Sequence, residues 1–300
     1  MTNSPPARPP GAAGTAYGIG GDAPVGRIGY GTMRLTDHPG IPPSDAIIWE
    51  PPRDRAGAVA VLRRAVDLGV GLVDTADSYA LGAVEELVAE ALHPYPDGLV
   101  VATKAGLTRP GPGMWEPLGR PAYLRQQAEL SLRRLRTDCL DLFQLHRVDP
   151  EVPLADQVGA LRELQDEGKV RHIGLSEVHV GQLRAAREVA AIASVQNLYN
   201  LATRHHEAVV DYTAAEGIAF LPYFPMAVGE LAAPGGTVAE VAAELGATPA
   251  QTALAWLLRR APNVLPIPGT TSTGHLAENM AARDLVLSDE QFARLSAIGG

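Results

Sequence analysis

From about residue 55 onward, amphipathic helical patterns alternate with short apolar runs, and that alternation leaves few folds open. A pattern near 55–69, with Ala58, Val61, Leu62, Ala65 and Val66 on one face, leads to Gly69-Val-Gly-Leu-Val73. Others near 83–93 and 121–135 lead to Leu99–Ala102 and Cys139–Leu145. Three more pairs follow: 154–167 with Val170–Leu175, 180–191 with Ala193–Gln196, and 205–216 with Ile218–Leu221. Helices near 237–245 and 249–260 precede a last apolar run, Val264–Ile267, and helices near 274–283 and 288–297 close the series. Thr248-Pro249 supplies an N-cap and an N1 proline, and Ser288-Asp-Glu-Gln291 reads as a capping box.

With Arg27–Met33 added at the front, eight strands result, most of them apolar on both faces as parallel strands under helices are. Eight regular units without a linker predict a (β/α)8 TIM barrel with an N-terminal β segment and extra C-terminal helices, one domain over residues 17–300. The competing doubly wound sheet would carry a Gly-x-Gly-x-x-Gly turn after a strand, and none is present. No Walker lysine motif is present either. Residues 1–16, rich in Pro, Ala and Gly, read as a flexible tail without the basic start and apolar centre of a signal peptide. No apolar run reaches the ~18 residues of a membrane span. The Pro/Gly-rich stretches 40–52 and 107–121 are too long for tight connections and are candidate substrate loops.

A net charge of -9 argues against nucleic acid or an anionic membrane as the main partner. The single cysteine, Cys139, rules out an internal disulfide and a multi-cysteine metal site, which fits a reducing cytoplasm, and no metal is expected. Its apolar surroundings mark it as a small core hydrophobe and not a nucleophile.

Chemistry gathers at the strand ends. Asp74 ends the second strand and Tyr79 follows in Asp74-Thr-Ala-Asp-Ser-Tyr79; Lys104 ends the third and His146 the fourth. Active sites of such barrels lie at that face, and neighbouring strands run about 5 Å apart. A phenol is a poor acid or base near neutrality unless a cation stabilises its phenolate. Lys104 is placed to be that cation, with Asp74 pairing it and a neutral His146 donating to a substrate oxygen. A structural Asp74–Lys104 ion pair is the competing reading for any one of them. Of the 25 basic residues only Lys104 and Lys169 are lysines. Arginine is a poor proton-transfer partner, so a lysine at position 104 suits this role.

These blocks, in order from Gly29-Tyr-Gly-Thr-Met33 to the final helix, resemble the aldo-keto reductases, barrels that reduce carbonyls with a nicotinamide cofactor. The resemblance makes Tyr79 the general acid, Lys104 with Asp74 its tuner, and His146 the group that orients the carbonyl. It implies cofactor contacts from Gly31, Thr32, Met33, Ser176, Gln196, Tyr223 and Pro225. Ser176 and Gln196 would bind the nicotinamide amide and Tyr223 would stack on the ring. Glu177 stands where an asparagine is usual. Gly269, Thr270, Ser272, His275, Glu278 and Asn279 match the segment that grips the adenosine phosphate, although many members carry lysine at 269 and arginine at 275. NADPH is the expected cofactor and NADH the alternative.

Ala91–Asp97, Val170–Leu175 and Pro266–Thr270 look most like the bacterial aryl-alcohol-dehydrogenase-related group, which includes pyridoxal reductases. The sequence given ends just past its last helix, without the long loop that walls the pocket in other members, so an open pocket is expected. Its candidate walls are Met33, Trp49, Trp115 and Arg147, the last suited to an anionic substrate or to a salt bridge with Asp149. The expected function is NADPH-dependent reduction of a small aldehyde or ketone by a cytoplasmic monomer. A redox-sensing, cofactor-binding subunit with little turnover, like the potassium-channel β subunits of that family, is the alternative. A barrel lyase or isomerase using the Lys104 amine would leave Tyr79 and the nicotinamide blocks without a role.

Overall fold

The structure, a computed structural model, describes residues 16–36, 48–226 and 235–299. The expected tail falls outside these residues but for Ala16, as does most of the 40–52 loop. Seven parallel strands form one curled sheet: β3 (Tyr30–Gly31), β4 (Leu72–Asp74), β5 (Val100–Ala105), β8 (Leu140–Leu145), β9 (Val170–Ser176), β10 (Ile192–Gln196) and β11 (Ala219–Phe220), neighbours in that order. The eighth, Val264–Ile267, is thinner than its apolar pattern suggests because Pro266 and Pro268 have no N–H to give. It still closes the barrel. Leu265 N donates to the Phe220 carbonyl at 2.8 Å, while Gly29 N and Gly31 N donate to Pro266 and Pro268. The closure is tight at Gly31, where a Cβ would stand 2.7 Å from the Ile267 carbonyl oxygen.

Helices α1 (Arg55–Asp67), α2 (Ala83–Leu92), α3 (Pro121–Leu135), α4 (Leu154–Asp166), α5 (Val180–Arg187) and α6 (Glu207–Ala215) cover the sheet. Next come α7 (Thr237–Leu245), α8 (Pro249–Arg260), α9 (Thr273–Ala281) and α10 (Asp289–Ser296). Thr248 and Ser288 cap α8 and α10 with the reciprocal Gln251 and Gln291 bonds, each cap worth about 1 kcal/mol.

The apolar residues divide into two cores. One lies between sheet and helices; the other, with Leu72, Val100, Ala102, Leu142, Ala219 and Leu265, fills the barrel. An antiparallel hairpin of β1 (Ala16–Ile19) and β2 (Ala23–Gly26) adds Ile19 and Val25 to the inner core. The expected strand Arg27–Met33 shrinks to Tyr30–Gly31. Arg27 is instead buried and donates to the carbonyls of Leu258, Ala261 and Val264 at the end of α8, where a cation is favoured. Met33–Thr36 winds into a 3-10 turn. Cys139 is half-buried and unpaired, not a core residue, and burial pushes its thiol up, away from nucleophile chemistry. A second small hairpin, β6 (Leu107–Thr108) with β7 (Glu116–Pro117), orders the 107–121 loop.

Candidate active site

Asp74, Tyr79, Lys104 and His146 converge at the C-terminal ends of β4, β5 and β8, all between 0% and 6% exposed. Lys104 Nζ donates to Asp74 Oδ2 at 2.7 Å, to the Thr75 carbonyl at 2.8 Å and to the Tyr79 hydroxyl at 3.5 Å, which uses its three protons. Burial, the largest single effect, would drive the ammonium toward neutrality, but the charges and hydrogen bonds of Asp74 and Tyr79 together outweigh it and hold Lys104 charged. For Tyr79 burial is the larger effect and Lys104 only offsets part of it, so the phenol sits above its ordinary value. The phenol is therefore a protonated donor, a group suited to give a proton. Burial, then the cations Lys104, Arg147 and Arg109, push His146 well below the usual imidazole range, so the ring is neutral. Its Nδ1 lies 3.3 Å from Ser78 Oγ, and the Tyr79 and His146 rings meet nearly edge to face at 6.0 Å.

Local backbone aims the phenol. Ala80 and Leu81, directly after Tyr79, have φ of 48° and 55°, left-handed values that non-glycine residues hold only under constraint. Ala80 N donates to the Ile48 carbonyl, and Arg109 donates to the carbonyls of Ile48, Ser78 and Met114. Arg109 also lies 3.5 Å from the Trp115 ring centroid and 5.6 Å from that of Trp49. Trp115 in turn stands 6.5 Å from His146. One buried guanidinium thus ties both tryptophans to the turn that carries Tyr79.

Behind Asp74 runs a buried amide relay that the sequence reading missed. Gln144 Nε2 and Gln196 Nε2 donate to Asp74 Oδ1 at 3.3 and 2.8 Å, and Ser194 Oγ donates to Gln144 Oε1. Strand register sets Lys104, Gln144, Gly174 and Ser194 side by side. Glycine is required at 174, where a Cβ would stand 2.3 Å from Ser194 Oγ. The available signal was Gln144 itself, a lone amide inside an apolar run, two residues before His146 and so on the same strand face.

The expected cofactor residues fall into two groups. At the ends of β9, β10 and β11, Ser176 Oγ accepts from Arg147 at 3.0 Å, and Arg147 also donates to the His146 carbonyl. Asp149 instead takes the backbone N–H groups of Gly119 and Glu151, so Arg147 does not pair with it. Glu177 has a φ of 54° and accepts from Leu198 N at 2.6 Å. Burial works against its charge, but His206, Leu198 N and Arg147 hold the carboxyl down at about 2. Pro225, two residues past Tyr223, is buried.

Across the closing strand, Ser272 caps α9 through His275 N, and Thr270 Oγ1 accepts from Ser272 N. The His275 and Glu278 side chains are exposed. Gly269 has no room for a side chain: a Cβ would lie 2.7 Å from the Gly31 carbonyl oxygen and 2.8 Å from Arg34 Cγ. Thr32 Oγ1 and Asn279 Nδ2 are buried without a protein partner, and Met33 packs half-buried beside them on the chain. Orphaned buried groups of this kind, beside backbone that tolerates only glycine, fit a groove that holds a polar ligand.

Residues 27–299 match the model of the aldo/keto reductase family. The chain is 45% identical over 279 residues to an uncharacterized oxidoreductase of Schizosaccharomyces pombe, covering 93% of this chain and 88% of that one. It is 44% identical over 284 residues to pyridoxine 4-dehydrogenase of Escherichia coli, covering 93% and 96%. Among solved structures, an aldo-keto reductase from Klebsiella pneumoniae in complex with NADPH superposes with a TM-score of 0.80 at 31% identity, covering 95% and 96%.

Proposed function

Because the chain belongs to the aldo/keto reductase family, we propose that it is an NADPH-dependent oxidoreductase that reduces a small aldehyde or ketone to an alcohol, with Tyr79 as the proton donor. The observation that carries this reading is the buried chain from Asp74 through Lys104 to a protonated Tyr79.

A bound nicotinamide supplies the hydride. Gly31, Thr32, Met33, Ser176, Gln196, Tyr223 and Pro225 form its cradle, and Gly269, Thr270, Ser272, His275, Glu278 and Asn279 the adenosine end. Gln196 gives one amide N–H to Asp74, which leaves its amide oxygen and second N–H for a carboxamide. Arg34, packed against Gly269 where many members have lysine, supplies the cation for the 2′-phosphate, which favours NADPH over NADH.

As charge develops on the substrate oxygen, Tyr79 gives up its phenolic proton and Lys104 stabilises the phenolate left behind. Asp74 keeps Lys104 in place, and Gln144 and Gln196 keep Asp74 in place. Neutral His146, in the tautomer that accepts from Ser78 at Nδ1, has its proton on Nε2 and offers it to the same oxygen. Trp49 and Trp115, locked by Arg109, make a flat apolar wall suited to an aromatic aldehyde, and the likeness to pyridoxine 4-dehydrogenase points to the pyridoxal type. Arg147 acts beside Ser176. No helix among the described residues is long and apolar enough to cross a membrane. The reading takes the protein as a monomer in a reducing cytoplasm, where a lone thiol needs no partner.

The test follows NADPH consumption with pyridoxal, substituted benzaldehydes and short aliphatic aldehydes. Turnover is expected, highest with the aromatic set. Tight NADPH binding with no turnover on any carbonyl would favour the redox-sensing subunit instead.

A further inference from the structure

Between the end of β9 and the start of α6, Glu177, His205 and His206 bring one carboxylate and two imidazoles together, with a ligating atom from each within 4.8 Å of the others. No metal was expected from the sequence, since a lone cysteine says nothing about His and Glu ligands drawn from separate loops. Here Glu177 sits at the end of β9 in a left-handed turn, while His205 and His206 are the two residues before α6. His206 Nε2 lies 3.4 Å from Glu177 Oε2. Two ligands at about 2.0–2.1 Å from a tetrahedral ion stand roughly 3.4 Å apart, so this pair already has the spacing of a coordinated edge. The His205 ring lies 4.2 Å from that of His206, tilted by 50°, and its exposure lets it turn onto the same point.

We propose that Glu177, His205 and His206 form a binding site for a divalent transition-metal ion of the zinc type. Two imidazoles and one carboxylate select Zn2+, Co2+, Ni2+ or Cu2+ over Mg2+ and Ca2+, which prefer all-oxygen shells. Three protein ligands leave the fourth position to water. Glu177 is held in place for this by the N–H of Leu198. Arg147, the cation that faces Glu177 from β8, is anchored on Ser176 and the His146 carbonyl. Glu177 directly follows Ser176 and its charge acts on Tyr223, two residues of the proposed nicotinamide cradle, so metal and NADPH binding are antagonistic.

The experiment is calorimetric titration of the untagged full chain with ZnCl2, repeated with CoCl2 to read the visible spectrum of the bound ion. One equivalent of Zn2+ is expected, with the Co2+ absorption of a four- or five-coordinate site. His205→Ala and His206→Ala should each weaken binding by at least about tenfold. His172→Gln, at the start of β9, should leave it unchanged. His206 makes no side-chain cap to α6, so its removal spares the helix. Uptake that is indifferent to both histidine variants, or an octahedral Co2+ spectrum, overturns the site. The antagonism rests on the proposed function and is read separately, as a rise in the NADPH dissociation constant with Zn2+ in the wild type but not in His206→Ala. Zinc binding without that rise removes the coupling and leaves the site.

Discussion

Lys104, at the strand ends, and His275, on α9, are two basic residues that the protein treats in opposite ways. Lys104 is fully buried, with every ammonium proton on a protein partner. His275 is exposed on α9, and only its backbone N–H is bound, to Ser272. A buried charge is tolerable only with paired, hydrogen-bonded neighbours, so the residues around Lys104 are constrained as a set. An exposed segment such as the start of α9 carries no such constraint. Gly269 leaves the space beside the Gly31 carbonyl to Arg34, which reaches it from another part of the barrel.

If the contrast is real, the buried end breaks hardest. Lys104→Met strands Asp74 as an unpaired buried carboxylate; about 3–5 kcal/mol of stability should be lost, read by denaturant unfolding. Turnover should fall by roughly 10³-fold or more in the surviving folded protein, since it loses the cation beside Tyr79. Gln144→Leu removes one of the two amides on Asp74, and a loss of about 1–3 kcal/mol is expected. Arg34→Ala should leave turnover at saturating cofactor unchanged. It should raise the NADPH dissociation constant by about tenfold, the size of one charge-assisted contact, with NADH unaffected. Equal weakening of both cofactors would show that Arg34 does not read the phosphate.

The smallest effects concern pH. Carbonyl reduction should stay flat between pH 6.5 and pH 10, the ordinary values for the two side chains, because His146 is held lower and Tyr79 higher. Stability carries the matching sign. Below pH 6.5 the unfolded chain binds a proton at His146 that the folded protein refuses, so stability is full above that pH and declines as pH falls. His146→Asn should remove that part of the decline.

The same contrast explains what was legible in the sequence. Asp74, Tyr79, Lys104 and His146 could be read because polar residues at the ends of apolar runs have few other reasons to be there. Helix starts at Thr248 and Ser288 were local signals and came out as read. The closing strand was overdrawn, since Pro266 and Pro268 thin its ladder. Gln144 and Arg109 were missed because their roles exist only through contacts with Asp74, 70 residues away, and with the Ile48 and Ser78 carbonyls. Arg147 was assigned to the wrong partner for the same reason: Ser176 reaches it from the next strand. Side chains whose partners lie on other strands leave little trace in one dimension.

The central claim is that Tyr79 supplies the proton and does not hold the cofactor. Tyr79→Phe tests it most directly, with NADPH binding followed by fluorescence titration and single-turnover reduction of an aromatic aldehyde measured on the same protein. The account predicts an unchanged NADPH dissociation constant and a reduction rate lower by about 10²–10⁴-fold, the range for losing a general acid. A variant that binds NADPH and reduces the aldehyde at the wild-type rate would contradict it.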